Sequence, residues 1–179
     1  MSEKIEIIVV SDNHGDRRSL AKVLADNQIT DYVFHCGDSM FDNDDELMRN
    51  LIKVRGNSDF RADYYPNTVT QELTNGMTVF MAHGHRHDRY SAENTYLLEA
   101  AMKAGASFAF YGHTHFADVS QENGVIIVNP GSTFEPRFYP GRPLGVPTYA
   151  KLVITEATCN VQILTVADNT VVQEKDFAL

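Results

Sequence analysis

Seven residues of this chain could work together as metal ligands. Asp12, His14, Asp38, Asn57, His83, His113 and His115 each offer an oxygen or nitrogen donor, and none is a thiolate. Five of the seven histidines fall between positions 83 and 115. Such a set suits Mn, Fe, Zn or Ni better than it suits a Cys-rich structural zinc site. In extended backbone, residues two apart point to the same side. Asp12-x-His14 and His113-x-His115 are therefore each expected to aim two ligands at one place. Two divalent cations about 3.5–4 Å apart make a clamp for in-line displacement at phosphorus. A carboxylate between them must serve both. Asp38 is the expected bridge, because its strand lies between the others in chain order.

The elements that must carry these residues can be read from pattern. Ile5–Val10 is a buried, β-branched strand ended by Ser11-Asp12-Asn13. Asp16 can cap a helix with the stripe Leu20, Val23, Leu24. Tyr32–Phe34, Leu51–Val54 and Phe108–Tyr111 read as short strands ending at Gly37-Asp38, Gly56-Asn57 and Gly112-His113. A short acidic helix is expected from Asp44 to about Arg49. Asn75-Gly76 predicts a hairpin between Val69–Leu73 and Met77–Ala82. Ser91 can cap a helix carrying Leu97, Leu98, Ala101 and Met102, closed by Gly105. Asp118–Gln121 and Val125–Val128 flank a turn at Asn123-Gly124, and Tyr149–Thr155 with Val161–Val166 read as a closing antiparallel pair. Strand and helix alternate in the first half and strands dominate the second. The expectation is an α/β protein with sheets partly parallel and partly antiparallel. The reactive residues fall just past the C-terminal ends of strands, where open α/β sheets place ligands. Gly37, Gly56 and Gly112 precede ligands, and Gly15 and Gly84 follow them, which suits sharp turns and close backbone approach.

Asp12-Asn13-His14-Gly15, Gly37-Asp38, Gly56-Asn57-Ser58-Asp59, His83-Gly84-His85 and Gly112-His113-Thr114-His115 resemble, in order, the D-x-H, G-D, G-N-x-D, H-G-H and G-H-T-H motifs of the calcineurin-like metallophosphoesterases. Asn129-Pro130-Gly131-Ser132 is similar to the N-P-G-S segment of the small YfcE-like branch. The resemblance implies a four-layer αββα sandwich of two mixed β-sheets, with residues 1–179 forming one domain. It implies one metal on Asp12, His14, Asp38 and His115, and another on Asp38, Asn57, His83 and His113. Manganese is the first choice for both. The implied activity is phosphodiester hydrolysis by a hydroxide bridging the two ions, with Asp38, Asn57 and His85 in the catalytic set. The retromer subunit of the same fold supplies the competing reading, a protein-binding scaffold without catalysis. Keeping all seven donors argues for the enzyme. A third reading takes His83-Gly84-His85-Arg86-His87-Asp88 as the H-x-H-x-D-H motif of metallo-β-lactamase-like hydrolases, but its last two residues stand in the wrong order.

One position departs from the family pattern. Many members carry G-N-H-[DE], with the histidine near the leaving-group oxygen; here it is Ser58. A serine hydroxyl is too weakly acidic to protonate a leaving group near neutral pH. Either His85 or His87 substitutes, or the substrates are diesters with good leaving groups. His85 stands between a supporting role and direct contact with the substrate phosphate, and His87 reads as surface. His35 and Cys36 read as packed structural residues, and Asp59 as a residue that orients a ligand or caps a turn. Five of the six prolines lie between Pro130 and Pro147. Arg137 and Arg142 in that stretch can reach a phosphate by bidentate bonds; the same stretch serves equally as a rigid loop or a homodimer contact. Arg61, Tyr64 and Tyr65 are candidates for a further substrate wall.

Composition sets the outer bounds. The chain has 179 residues, 43% hydrophobic and 22% charged, which suits a globular domain with its own core. The formal charge of −9 argues against nucleic acid as a stable partner, and the expected partner is a small phosphoester. Two cysteines make no disulfide framework. With no secretion signal and no apolar run near the roughly 18 residues of a span, a cytoplasmic location away from the membrane is expected.

Overall fold

The computed structural model describes residues 4–60, 64–85, 95–136 and 145–179. Two mixed sheets face each other. The first has the order β11-β10-β9-β1-β2-β3 and the second β4-β5-β6-β8-β7. In the first, β1 (Ile5–Val10), β2 (Tyr32–His35) and β3 (Ile52–Lys53) run parallel, while β9 (Thr148–Ile154), β10 (Thr158–Thr165) and β11 (Val171–Ala178) continue antiparallel. In the second, β5 (Thr78–Ala82), β6 (Phe108–Phe110) and β8 (Val125–Pro130) are parallel, with β4 (Thr68–Glu72) and β7 (Ala117–Glu122) as antiparallel edges.

Alternation along β1 shows how the layers arise. Ile5, Ile7 and Val9 enter the core between the sheets, where they meet Met81, Phe108, Phe110, Val128 and Leu152. Ile8 and Val10 point the other way, onto Leu20 and Val23 of α1 (Arg17–Asp26). On the far side, α2 (Thr95–Lys103) lays Leu97, Leu98 and Ala101 on Phe80, Ala109 and Ile127. The stack is helix, sheet, sheet, helix, the fold class expected from the sequence. Asp16 caps α1 by accepting the Ser19 amide at 2.9 Å. Gly105, at φ 67°, closes α2: its own amide reaches Met102 O and the Ala106 amide reaches Ala101 O, the Schellman pattern. The hairpin at Asn75-Gly76 forms as expected, and Asn75 Oδ1 accepts the Met77 amide.

Two elements differ from expectation. Residues 44–49 form turns rather than a helix. Asp45 N bonds Asp42 O, Met48 N bonds Asp45 O, and the Asp45 side chain takes the Leu47 amide. Short acidic side chains compete for backbone N–H groups in this way and disfavour helix. The closing sheet also has a third strand, β11, whose Gln-Glu-Lys-Asp run gives no apolar alternation. It is held by register with β10 from Thr158↔Ala178 onward. The positions Arg61, His87, Ser91, Arg137 and Arg142 lie outside the described residues.

Candidate metal centre

All the candidate ligands sit on loops leaving the C-terminal ends of the central parallel strands. Asp12 and His14 follow β1, Asp38 follows β2, Asn57 follows β3, His83 follows β5, and His113 and His115 follow β6. The backbone there is not extended. Asp12, His14, Asp38, His113 and His115 adopt φ of 55, 44, 56, 65 and 58°. Each Asp-x-His or His-x-His pair therefore converges through two left-handed residues, not through the alternation of a strand. Asp, Asn and His enter this region more readily than other L-residues, but the conformation still costs about 1–3 kcal/mol per residue and persists only where surroundings enforce it. Cross-loop bonds do so: Asp12 N to Gly37 O, His14 N to Asp38 O and Gly15 N to Ser39 O, each 3.0 Å.

The two carboxylates are arranged alike. Asp12 Oδ2 accepts the Ser11 hydroxyl and the His113 amide, the latter at 3.0 Å. Its other oxygen, Oδ1, is buried and accepts no hydrogen bond among the described residues. It faces Nε2 of His115 at 3.3 Å, of His14 at 3.7 Å and of His83 at 3.9 Å. Asp38 Oδ1 accepts the Ser58 amide at 2.7 Å. Its Oδ2 faces His83 Nε2 at 3.2 Å and His14 Nε2 at 3.8 Å. Asp38 spans from His14 to His83, and Asp12 spans His14, His83 and His115. This second spanning carboxylate carried no signal in the sequence beyond its place in the D-x-H motif.

His83 and His115 present their Nε2 atoms inward because their Nδ1 atoms are occupied. His83 Nδ1 donates to Cys36 O at 2.7 Å and His115 Nδ1 to Glu135 O at 2.5 Å. Such outer bonds fix the tautomer and the ring orientation of a ligating imidazole. His14 Nε2 and His115 Nε2 then lie 3.1 Å apart. Two compact triads result, Asp12–His14–His115 and Asp12–Asp38–His83, with ligand atoms in each all within 4.8 Å of one another. Asn57 and His113 stand beside the second. Asn57 Oδ1 is 3.1 Å from His83 Nε2, and the His113 ring centroid is 5.2 Å from that of His83. His85 lies next to both, with centroids 5.3 Å from His83 and 6.1 Å from His113.

Charge and burial agree with a cation site. Burial alone would raise the Asp12 carboxyl, but His115, His83 and the Ser11 hydroxyl hold it below its ordinary value. Burial would likewise raise Asp38, and His83 with the Ser58 amide outweighs it. His83 goes up to about 9: burial opposes the charge, but Asp38 and Asp12 prevail. The carboxylates that would draw a proton to His83 would equally draw a divalent cation. A buried carboxylate oxygen without a donor is costly, so Asp12 Oδ1 together with an all N/O donor set fits a resident metal.

Supporting residues complete the frame. Asp59, buried, takes the amides of Asp38 at 2.8 Å and Gly56 at 2.7 Å on Oδ2, and the Met40 amide at 2.8 Å on Oδ1. It orients the Asp38 and Asn57 loops. Gly56 and Gly112 are required by proximity, not by φ. A Cβ on Gly56 would lie 2.7 Å from the Asp38 carboxyl carbon, and one on Gly112 would lie 2.5 Å from Asp12 Oδ2. His35 and Cys36 are fully buried, as a structural role requires. Of the expected substrate wall, Tyr65 is buried with its hydroxyl on Phe41 O, while Tyr64 is exposed and lines a cavity of about 360 Å³ with Asp42, Asn43 and Asp44.

Similarity to known proteins points the same way. The profile of the calcineurin-like phosphoesterase superfamily domain matches residues 5–155. The probable metallophosphoesterase YsnB of Bacillus subtilis is 29% identical over 136 residues, covering 74% of this chain and 78% of its own. The crystal structure of a predicted phosphoesterase from Streptococcus pneumoniae TIGR4 superposes with a TM-score of 0.88 at 31% identity over 99% of each chain. Vacuolar Protein Sorting 29 from Cryptosporidium parvum shares the fold, with a TM-score of 0.77 at 17% identity over 98% of this chain and 99% of its own.

Proposed function

This chain belongs to the calcineurin-like phosphoesterase superfamily, and we propose that it is a phosphodiesterase that works with two divalent metal ions, manganese first among them. The observation that carries this reading is the pair of inward carboxylate oxygens, Asp12 Oδ1 and Asp38 Oδ2, set among the Nε2 atoms of His14, His83 and His115. Asp12, His14, Asp38 and His115 would hold one ion, and Asp38, Asn57, His83 and His113 the other. When bound, such ions lower the pKa of water toward neutrality and polarise phosphoryl oxygens.

The chain's own residues supply the rest. Asp12 and Asp38 bring negative charge to a point that imidazoles surround, so two cations can lie close together. The outer bonds to Cys36 O and Glu135 O keep His83 and His115 in the tautomer that offers Nε2. Ser58 gives its amide to Asp38 and has no acid to give a leaving group. His85, beside His83 and His113, is the residue in this reading that contacts the phosphate and delivers a proton to the departing oxygen. The dependence on one weakly placed acid favours small diesters with stable leaving groups over alkyl monoesters. A cytoplasmic setting belongs to the same reading, since the two cysteines are buried and unpaired.

A hydrolysis panel of diesters, monoesters and cyclic nucleotides under Mn, Fe, Zn and Ni tests it. Diesters should turn over fastest with Mn, and the joint change Asp38→Asn with His115→Ala should abolish turnover. Monoesters cleaved far faster than diesters would refute the substrate class. No turnover on any phosphoester would leave the scaffold reading in its place.

A further inference from the structure

His115 and the Asp38–His83 side of the cluster are braced by different parts of the chain. Asp38, Asn57 and His83 are held by Asp59 and by Cys36 O. The Asp12–His14–His115 side rests on the segment after β8. Asn129 is fully buried; its Nδ2 donates to Gly112 O at 3.0 Å and to Thr114 Oγ1 at 2.9 Å, and its Oδ1 accepts the Gly131 amide at 2.9 Å. It thus holds the loop on either side of His113, just before His115. Ser132, also fully buried, donates its hydroxyl to Asp12 O at 2.7 Å and accepts the amides of Phe134 at 3.2 Å and Glu135 at 2.8 Å. Glu135 then offers the carbonyl that orients His115. One hydroxyl therefore links the backbone of Asp12 to the group that aims His115. Thr148 fixes the segment from behind, its hydroxyl on Pro130 O and its amide on Ser132 O.

We propose that Ser132 is a positioning residue for one ion of the centre, acting through the Glu135 carbonyl that aims His115, so that its loss spares the ion beside Asp38 and His83, whereas Asn129, whose donors flank His113, positions ligands of both ions. The inference rests on the two-ion reading given above. The Ser132 side chain bonds to none of Asp38, Asn57, His83 and His113 among the described residues, so its effect should be one-sided. Outer partners of metal ligands commonly change affinity by about 10–100-fold.

Calorimetric titration with Mn²⁺, metal counting on the loaded protein, and the electron paramagnetic resonance signature of paired against single Mn²⁺ test this without any substrate. The wild type should bind two ions. Ser132→Ala should keep one site at wild-type affinity and weaken the other by about 10–100-fold, replacing the coupled signal with that of isolated Mn²⁺. Ser132→Thr, which retains the hydroxyl, should restore the pair. Asn129→Asp, which keeps the acceptor for Gly131 and loses both donors beside His113, should weaken both sites, and Ser132→Gly stands in if Ser132→Ala fails to fold. Equal weakening of both sites in the Ser132 variants, or no change in either, would overturn the inference while leaving two ions in the wild type. A wild type that binds a single ion would refute the dinuclear reading itself.

Discussion

Changing Asp59 to Asn tests whether the ligand loops are held by one carboxylate. Two backbone amides, from Asp38 and Gly56, converge on Oδ2, and the Met40 amide meets Oδ1. An asparagine has a single acceptor oxygen. In one orientation it serves Asp38 and Gly56 and turns its NH₂ on the Met40 N–H. In the other it serves Met40 and opposes two N–H groups. Each buried donor left unmet costs about 1–3 kcal/mol, and bonds to a charged acceptor are the stronger ones. The least costly orientation should therefore destabilise the metal-free protein by about 2–4 kcal/mol. At roughly 2–4 °C per kcal/mol for a chain of this size, Tm should fall by about 5–15 °C. Circular dichroism melts in EDTA read this directly, because no ion then contributes. Mn²⁺ titration of the folded variant should show the ion beside Asp38 and His83 weakened by about 10–100-fold, the mirror image of Ser132→Ala. A Tm within about 2 °C of wild type, with unchanged Mn²⁺ binding, would refute the role given to Asp59.

Further outcomes follow from the same geometry. Gly56→Ala should cost at least about 1–3 kcal/mol by overpacking and should abolish tight Mn²⁺ binding by displacing the Asp38 carboxylate; wild-type calorimetry would contradict this. Metal-free stability should peak near the ordinary histidine value and fall on both sides. His35, fully buried, is pushed down to about 4 by burial, and its Nδ1 accepts the Gly37 amide, which a second proton would oppose. Its contribution is present above 6.5 and is lost as pH falls toward 4, a span worth about 3 kcal/mol. His83, raised to about 9, contributes below 6.5 and loses that contribution as pH climbs through 9. Urea melts across this range check the shape, and a flat profile would refute it. Mn²⁺ at about 100 times Kd should add about 2.7 kcal/mol and raise Tm by about 5–10 °C, reversibly on chelation. His85→Ala should leave that rise intact while slowing diesters with poor leaving groups; an unchanged rate would remove His85 from proton transfer.

Much of the candidate site was legible because its residues are chemically unusual and fall in order at strand ends. Asp12, His14, Asp38, Asn57, His83, His113 and His115 all arrive at one edge of the sandwich, as read. The backbone that delivers them was misread as extended, because alternation is the nearest rule for an i, i+2 pair. The left-handed residues depend on cross-loop bonds such as Asp12 N to Gly37 O, which join positions 25 apart and leave no local trace. The apolar strands were placed to within a residue or two, except that β10 begins at Thr158, three residues before the expected Val161. The helix expected at 44–49 gave way to side-chain competition at Asp45. Strand β11 was missed because an edge strand with a charged run has no buried face to announce it. Asp59 and Ser132 are ordinary polar residues in sequence, and only their partners reveal what they hold.

The donors are spread from position 12 to position 115, on loops leaving both sheets, and the segment that braces His115 comes later still. During translation, Asp12 and His14 emerge early and wait for their remaining partners until more than half of the polypeptide has left the ribosome. A nascent chain thus cannot bring these donors together before the two sheets have closed on each other. The cluster in this architecture arrives late, as a by-product of finished folding.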